Sequence, residues 1–439
     1  MKGSEAKLLE YMAGAKKRFV IPVYQRNYDW RLENCKQLFD DLVKVAKHNR
    51  NSHFFGSIVS SYIPSGRYTE YLVIDGQQRL TTVSLLLLAM YNLIVEGKIQ
   101  PKTETMAQEI IEDYLIDKHQ PKETRLKLKP VKNDASAFAK LFDKDYDNDP
   151  NSNLTLNYEY FYNRIQRNEI DIEELYDSLF KLEIINIELT SDDDPQLIFE
   201  SLNSTGLALS EGDKIRNFIL MGLPGQMQVD YYEKYWNVIE VNTNYDVSVF
   251  IRDYLSVKQQ SIPSFNRIYS TFKLYVEDNQ IETEEVLKEL LSYSKWYAIL
   301  LKGNTSEKAL NACIDRLNRL ETTITRPFFL EVLRMHFDAD EHLSMNDVRL
   351  IFLDTENYLF RRSICDLPTN ALNKIFLMLH REIMRYDGTA SNYLEKFRYA
   401  LLAKTDRGRF PRDEEFAEAL ETRQIYFMNI KPELFTEFK

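Results

Sequence analysis

Apolar and polar positions change rhythm along this chain. Phe19-Val20-Ile21-Pro22-Val23, Phe54-Phe55-Gly56-Ser57-Ile58-Val59 and Tyr71-Leu72-Val73-Ile74 are apolar runs of strand length, rich in β-branched and aromatic residues. Between the first two, Asn34 to Lys47 puts Cys35, Leu38, Phe39, Leu42, Val43 and Ala46 on one helical face. A long apolar helix from Gln77 to Leu93 starts directly after Asp75-Gly76. Arg125 to Lys129 alternates with period two, and Leu182 to Leu189 has the pattern of a mostly buried strand. A helix, a polar loop over Asp143 to Asn153 and a further helix fall between them.

This alternation predicts an α+β domain over residues 1–225. From about Pro224 onward the strand signal fades. Helical periodicity takes over at Glu284 to Leu301, Leu310 to Thr322, Met345 to Arg362, Ala371 to Met384 and Asp413 to Thr422. Their wide apolar stripes suit helices packed on one another, so a second, mostly α-helical domain is expected over residues 226–425. Residues 426–439 start a new element without finishing it and are expected to be the stub of a linker or further domain.

Composition narrows the function classes. The 439 residues carry 56 Lys+Arg against 67 Asp+Glu, a net charge of −11 whose overall field repels a polyanion, so any nucleic-acid contact must be local. Cys35, Cys313 and Cys365 lie too far apart for structural zinc and are odd in number, which fits a reducing cytoplasm. Met1 to Glu5 lacks the build of a secretory signal. The most apolar stretch, Val83 to Ile94, is shorter than the ~20 residues of a membrane span, so no membrane role is expected.

Three segments can carry chemistry. In Tyr71-Leu-Val-Ile-Asp75-Gly76-Gln77-Gln78-Arg79-Leu-Thr81-Thr82 a strand passes through one glycine into a helix, whose free N–H groups and dipole favour an anion. Arg79 adds a fork of donors suited to phosphate, Gln77 and Gln78 can orient a water or phosphate oxygen, and Asp75 can hold Mg²⁺. A strand–glycine–helix turn whose arginine merely pairs with an acid would have the same sequence. No Gly-x-x-x-x-Gly-Lys-Ser/Thr loop occurs.

The second segment, Ile21 to Trp30, interleaves Tyr24, Tyr28 and Trp30 with Gln25 and Arg26, which suits either a base-stacking clamp or a proline-led loop packed on the core. The third runs from Phe199 to Phe218. Asn203, Ser204, Thr205 and Gly206 form a turn that can face a ligand or simply join two helices, and Ser210 is placed to cap the next helix with Asp213 at its third position.

Together these segments resemble the N-terminal domain of the GmrSD-type restriction enzymes, also called the DUF262 family, placed among ParB/sulfiredoxin-like folds. The resemblance rests on Ile21-Pro22-x-Tyr24-Gln25-Arg26-x-Tyr28-x-Trp30, Phe54-Phe55-Gly56-Ser57-Ile58, Ile74-Asp75-Gly76-Gln77-Gln78-Arg79-Leu80-Thr81-Thr82, and Phe199-Glu200-x-Leu202-Asn203-Ser204-x-Gly206-x-x-Leu209. It implies a nucleoside triphosphate, with Mg²⁺ or a similar divalent cation, hydrolysed in the service of restricting foreign DNA. Asp75, Gln78 and Arg79 would be catalytic, with Asp75 on the metal. Tyr24, Gln25, Arg26, Gly76, Gln77, Thr81, Asn203, Ser204 and Gly206 would bind the nucleotide.

Longer relatives continue into an HNH-like nuclease domain; Arg409-Phe410-Pro411-x-Asp413-Glu414-Glu415-Phe416 resembles the segment before it. No histidine pair here has metal-ligand spacing, so a nuclease domain or subunit is an expected partner, along with DNA and a possible homodimer. A non-catalytic module that uses nucleotide as a switch, and a metal-dependent nickase, are the alternatives.

Weaker signals have two readings each. Arg125, Lys127 and Lys129 share one strand face and suit a DNA-facing patch or a solvated edge strand. Asp192 to Asp194 suits cation coordination or, more readily, a solvated turn ahead of a helix at Pro195, and His380 a ligand or, more readily, a satisfied core position.

Overall fold

Pairing of the apolar runs produces one mixed sheet. The computed structural model describes the chain apart from residues 15, 66–67, 122–123, 144–148, 191–192, 203–208, 321–322, 338–342 and 424–439. The described strands are β1 (Lys2–Lys7), β2 (Lys17–Val20), β3 (His53–Ser65), β4 (Tyr68–Asp75), β5 (Leu128–Lys129) and β6 (Leu182–Leu189), in the order β1-β6-β3-β4-β2-β5. The pairs β1–β6 and β3–β4 are antiparallel; β3–β6, β2–β4 and β2–β5 are parallel. The helices of this unit are α1 (Leu8–Met12), α2 (Leu32–Lys47), α3 (Gln77–Val95), α4 (Met106–Glu109), α5 (Lys132–Lys140), α6 (Asn153–Gln166), α7 (Ile172–Leu179) and α8 (Pro195–Leu202).

Helix α3 is the axis of the core. Leu80, Val83 and Leu85 to Met90 are buried, because the sheet and α6 cover it on different sides. It is the one described helix long and apolar enough to cross a membrane, and most of it lies inside the fold. Strand β1 escapes sequence reading: Lys-Gly-Ser-Glu-Ala-Lys has no apolar alternation, and it forms because β6 offers it an edge, with Lys7 paired to Glu183 at 2.5 Å. Asp194 accepts from the N–H groups of Gln196 and Leu197 at 2.8 and 3.3 Å and so caps α8, as the acidic turn predicts.

The chain divides into two units: Met1–Ala208 with Leu220–Gln228, and Leu209–Ile219 with Val229–Lys439. This replaces the single cut expected after residue 225. Helix α9 (Glu211–Leu220) is capped by the Ser210 hydroxyl, which accepts from Asp213 N–H at 3.0 Å. Its Arg216 pairs with Glu240 at 2.6 Å, which draws most of the helix into the second unit. The described elements of that unit are all helices, among them Thr283–Lys302, Arg326–Phe337, Met345–Ile364, Leu372–Met384 and Asp413–Thr422. Residues 426–439 lie outside the described residues. His380 is half-buried, bonded to the Tyr393 hydroxyl at 2.9 Å and 3.6 Å from Glu331.

Asp253 sits inside the helical unit, where the Tyr297 hydroxyl donates to it at 3.3 Å and Arg326 donates to that hydroxyl at 2.8 Å. Burial pushes its carboxyl up to about 7, against the opposing pull of Arg326. A carboxyl that protonates more readily folded than unfolded stabilises most at low pH, and its contribution is lost as pH rises towards about 7. Asp253→Asn should therefore stabilise progressively relative to wild type between pH 5 and pH 7, by up to about 1.4 kcal/mol per pH unit. Urea midpoints at both pH values check this; a constant difference between the two proteins would refute it.

Candidate functional site

The corner where β4 enters α3 gathers most of the residues singled out by sequence. Gly76 adopts φ +96°, and a Cβ there would lie 2.9 Å from the Ile58 side chain and 3.1 Å from the Ser57 carbonyl, so only glycine makes this turn. No side chain caps the helix start that follows. The Gly76 N–H just before it is taken up by the Asp75 carboxylate.

Arg79 is held from below. Its Nε donates to the carbonyl of Phe55, the extra residue of a bulge in β3, at 2.9 Å, and its Nη1 to the Ser57 carbonyl at 3.3 Å. Gly56, at φ +120°, makes this possible: a Cβ would stand 2.5 Å from Arg79 Nε. Asp75 lies 4.0 Å from Arg79 Nη1. Two of the five guanidinium N–H groups are thus engaged by carbonyls. Burial raises the Asp75 carboxyl above the usual carboxylate range, offset in part by Arg79, the Gly76 N–H and Arg26.

The loop from Ile21 to Arg31 is pinned to this corner by amides. Gln25 Nε2 donates to the Ile74 carbonyl at 2.8 Å, and Gln77 Nε2 donates to Gln25 Oε1 at 3.2 Å. Gln78 Oε1 accepts from Asp29 and Trp30 N–H at 2.8 and 3.1 Å, while its Nε2 donates to the Asn27 carbonyl at 3.1 Å. The amide expected to orient a water is therefore occupied in shaping the loop. Arg26, held 3.6 Å from Asp29, keeps its charge near Asp75.

Two residues that sequence reasoning missed complete the pinning. Asp134 accepts from Tyr28 N–H at 2.5 Å, and Asn157 Nδ2 donates to the Tyr28 hydroxyl at 3.0 Å and to the Trp30 carbonyl at 2.7 Å. Both stand more than 100 positions from the loop, so no local pattern marks them. Gly56 did leave a signal, since a glycine inside a strand run marks a bulge or a close approach.

Other expected positions fall elsewhere. Tyr24 and Thr81 are 1% and 2% exposed and face the core rather than a ligand. Asn203, Ser204 and Gly206 lie outside the described residues. Lys127 overturns the expected basic stripe: it is 1% exposed, and its Nζ donates to the carbonyls of Gly14 at 3.0 Å and Asp113 at 2.5 Å. The segment is not a free edge, because Lys127 bonds Leu115 through its N–H and Phe19 through its carbonyl. Arg125 and Lys129 stay half-exposed, Lys129 at 3.7 Å from Glu70.

Beside Arg79 opens a cleft of about 240 Å³ between α2 and the start of β3, lined by Trp30, Asn34, Gln37, Leu38, Asp41, His53, Phe54 and Phe55 as well as Arg79 itself. Residues 8–220, which contain every part of this corner, match the family described as GmrSD restriction endonuclease, N-terminal domain. This part of the chain belongs to that family. Membership associates the protein with restriction and phage defence. None of the curated proteins matches the chain.

Proposed function

We propose that this GmrSD N-terminal domain binds a nucleoside triphosphate at the β4–α3 corner and hydrolyses it to drive DNA restriction. The carrying observation is Arg79, a guanidinium braced by two carbonyls, at the mouth of a cleft and beside an uncapped helix start. Arg26 adds a second positive charge.

Asp75 alone suits a divalent cation that arrives with the triphosphate, since Mg²⁺ commonly takes one or two carboxylates and completes its shell with phosphate oxygens and water. Such a cation would neutralise charge on the phosphates. Among the described residues no group of three or more His, Cys, Asp and Glu is placed to hold a metal ion by itself, and we assign strand cutting to a nuclease domain or subunit acting with this chain on DNA. The engagement of Gln78 favours a second reading, in which bound nucleotide acts as a switch without turnover.

Phosphate release from each of the four triphosphates, with and without Mg²⁺ and DNA, separates the two. Arg79→Ala should lower release by about 10²-fold or more. Gly56→Ala, which keeps the arginine but displaces it, should approach the same loss, and thermal melting shows whether both variants stay folded. Nucleotide binding without turnover, even with DNA, would leave only the switch.

A further inference from the structure

The cleft beside Arg79 has its own chemistry. Asn34, Gln37 and Asp41 recur at spacings of three and four along α2 and so share one face of that helix, opposite the aromatic side chains at the start of β3. Trp30 and Phe55 meet edge to face at 6.3 Å, and Phe54 is 62% exposed at the same opening. Aromatic faces of this kind accept a nucleobase by stacking. At about 240 Å³ the cleft is smaller than the roughly 300–1,000 Å³ that holds a whole small ligand, so it takes part of a nucleotide.

Asp41 supplies discrimination. Its Oδ1 meets Lys44 at 3.0 Å, an exposed pair of little strength, and its Oδ2 has only the His53 ring at 3.9 Å. A carboxylate presents two acceptors side by side. Guanine alone among the four RNA bases presents two adjacent donors, N1–H and the 2-amino group, that can meet both. Adenine and cytosine set one amino group beside a ring-nitrogen acceptor, and uracil flanks one N–H with two carbonyls that a carboxylate repels. The amide of Gln37 can donate to the guanine O6.

Resting on the phosphate site proposed above, we infer that this cleft seats the base of the triphosphate and selects guanine through Asp41. The base lies between α2 and the start of β3, and the phosphates run past Arg79 to the start of α3.

Binding of GMP, AMP, CMP and UMP to the full chain, followed by Trp30 emission, tests this without hydrolysis. Trp236 and Trp296 are 1% and 6% exposed, and Trp30→Phe subtracts their signal. GMP should bind at least about tenfold tighter than the other three, and Asp41→Asn should bring all four within about threefold, because the amide turns one acceptor into a donor. Phe54→Ala should weaken all four while keeping their ratio, a control for general damage to the cleft. Equal binding of the four, or a guanine preference that survives Asp41→Asn, would overturn the assignment. Triphosphate turnover without base preference would remove the guanine site and leave the proposed function standing. GMP preference without turnover would do the reverse for hydrolysis.

Discussion

Arg362→Met is expected to destabilise the helical unit by about 3–5 kcal/mol. Arg362 is 2% exposed on the helix Met345–Ile364. Its Nη1 donates to the Arg409 carbonyl at 3.0 Å, and its Nη2 to those of Pro368 and Arg407 at 2.7 and 2.8 Å. The guanidinium also lies 5.2 Å from the ring of Tyr358, whose hydroxyl donates to the Gly408 carbonyl at 2.6 Å. Two neighbouring side chains thus bond the consecutive carbonyls of Arg407, Gly408 and Arg409, just ahead of the helix Asp413–Thr422. Methionine keeps the stem's packing and strands three acceptors, each worth about 1–3 kcal/mol if no water replaces the donor. Arg362→Lys should recover only part of the loss, since a compact ammonium cannot reproduce the fork. Urea unfolding followed by circular dichroism measures both; a loss below about 1 kcal/mol for the methionine variant would mean that these carbonyls find other partners.

Gln78→Met should cost about 2–4 kcal/mol and, in addition, abolish nucleotide binding. The side chain is 7% exposed, and its replacement leaves the N–H groups of Asp29 and Trp30 and the carbonyl of Asn27 without their partner. Methionine preserves volume, so the effect isolates the amide from the packing. The loop it releases carries Arg26, and Trp30 lines the cleft, so binding should fall even under conditions where the protein remains folded. Urea midpoints together with nucleotide titration test both parts. Full binding in the variant would assign the amide to the fold alone. Loss of turnover with binding intact would instead return Gln78 to a direct role at the phosphates.

The family resemblance and the elements that carry it were legible because local spacing encodes them. Leu182–Leu189 and Asp413–Thr422 form as their periodicities predict, and the strand–Gly76–helix turn stands where Asp75-Gly76-Gln77 places it. Ser210 caps α9 because a hydroxyl three residues before an acid needs only the adjacent backbone. That β1 leaves no signal and that Lys127 lies inside rather than on a basic face have a common reason. An alternating or polar run states which residues share a face, yet the partner strand decides which face meets water. Lys127 lies inside because the carbonyls of Gly14 and Asp113 converge on its ammonium.

By itself, the order of residues determined an α+β unit followed by a helical one, a glycine turn at Gly76, and the membership of residues 8–220 in a restriction family. Each of these depends on contacts within a few positions or on a motif read in line. Only the tertiary structure decided that Gln78 binds a loop, that Gly56 gives Arg79 its seat, that Asp134 and Asn157 hold Tyr28 and Trp30, and that Asp41 and Arg79 line one cleft. Those pairings join residues from about 20 to more than 100 positions apart, and which distant groups meet is set by packing of the whole core rather than by any local preference.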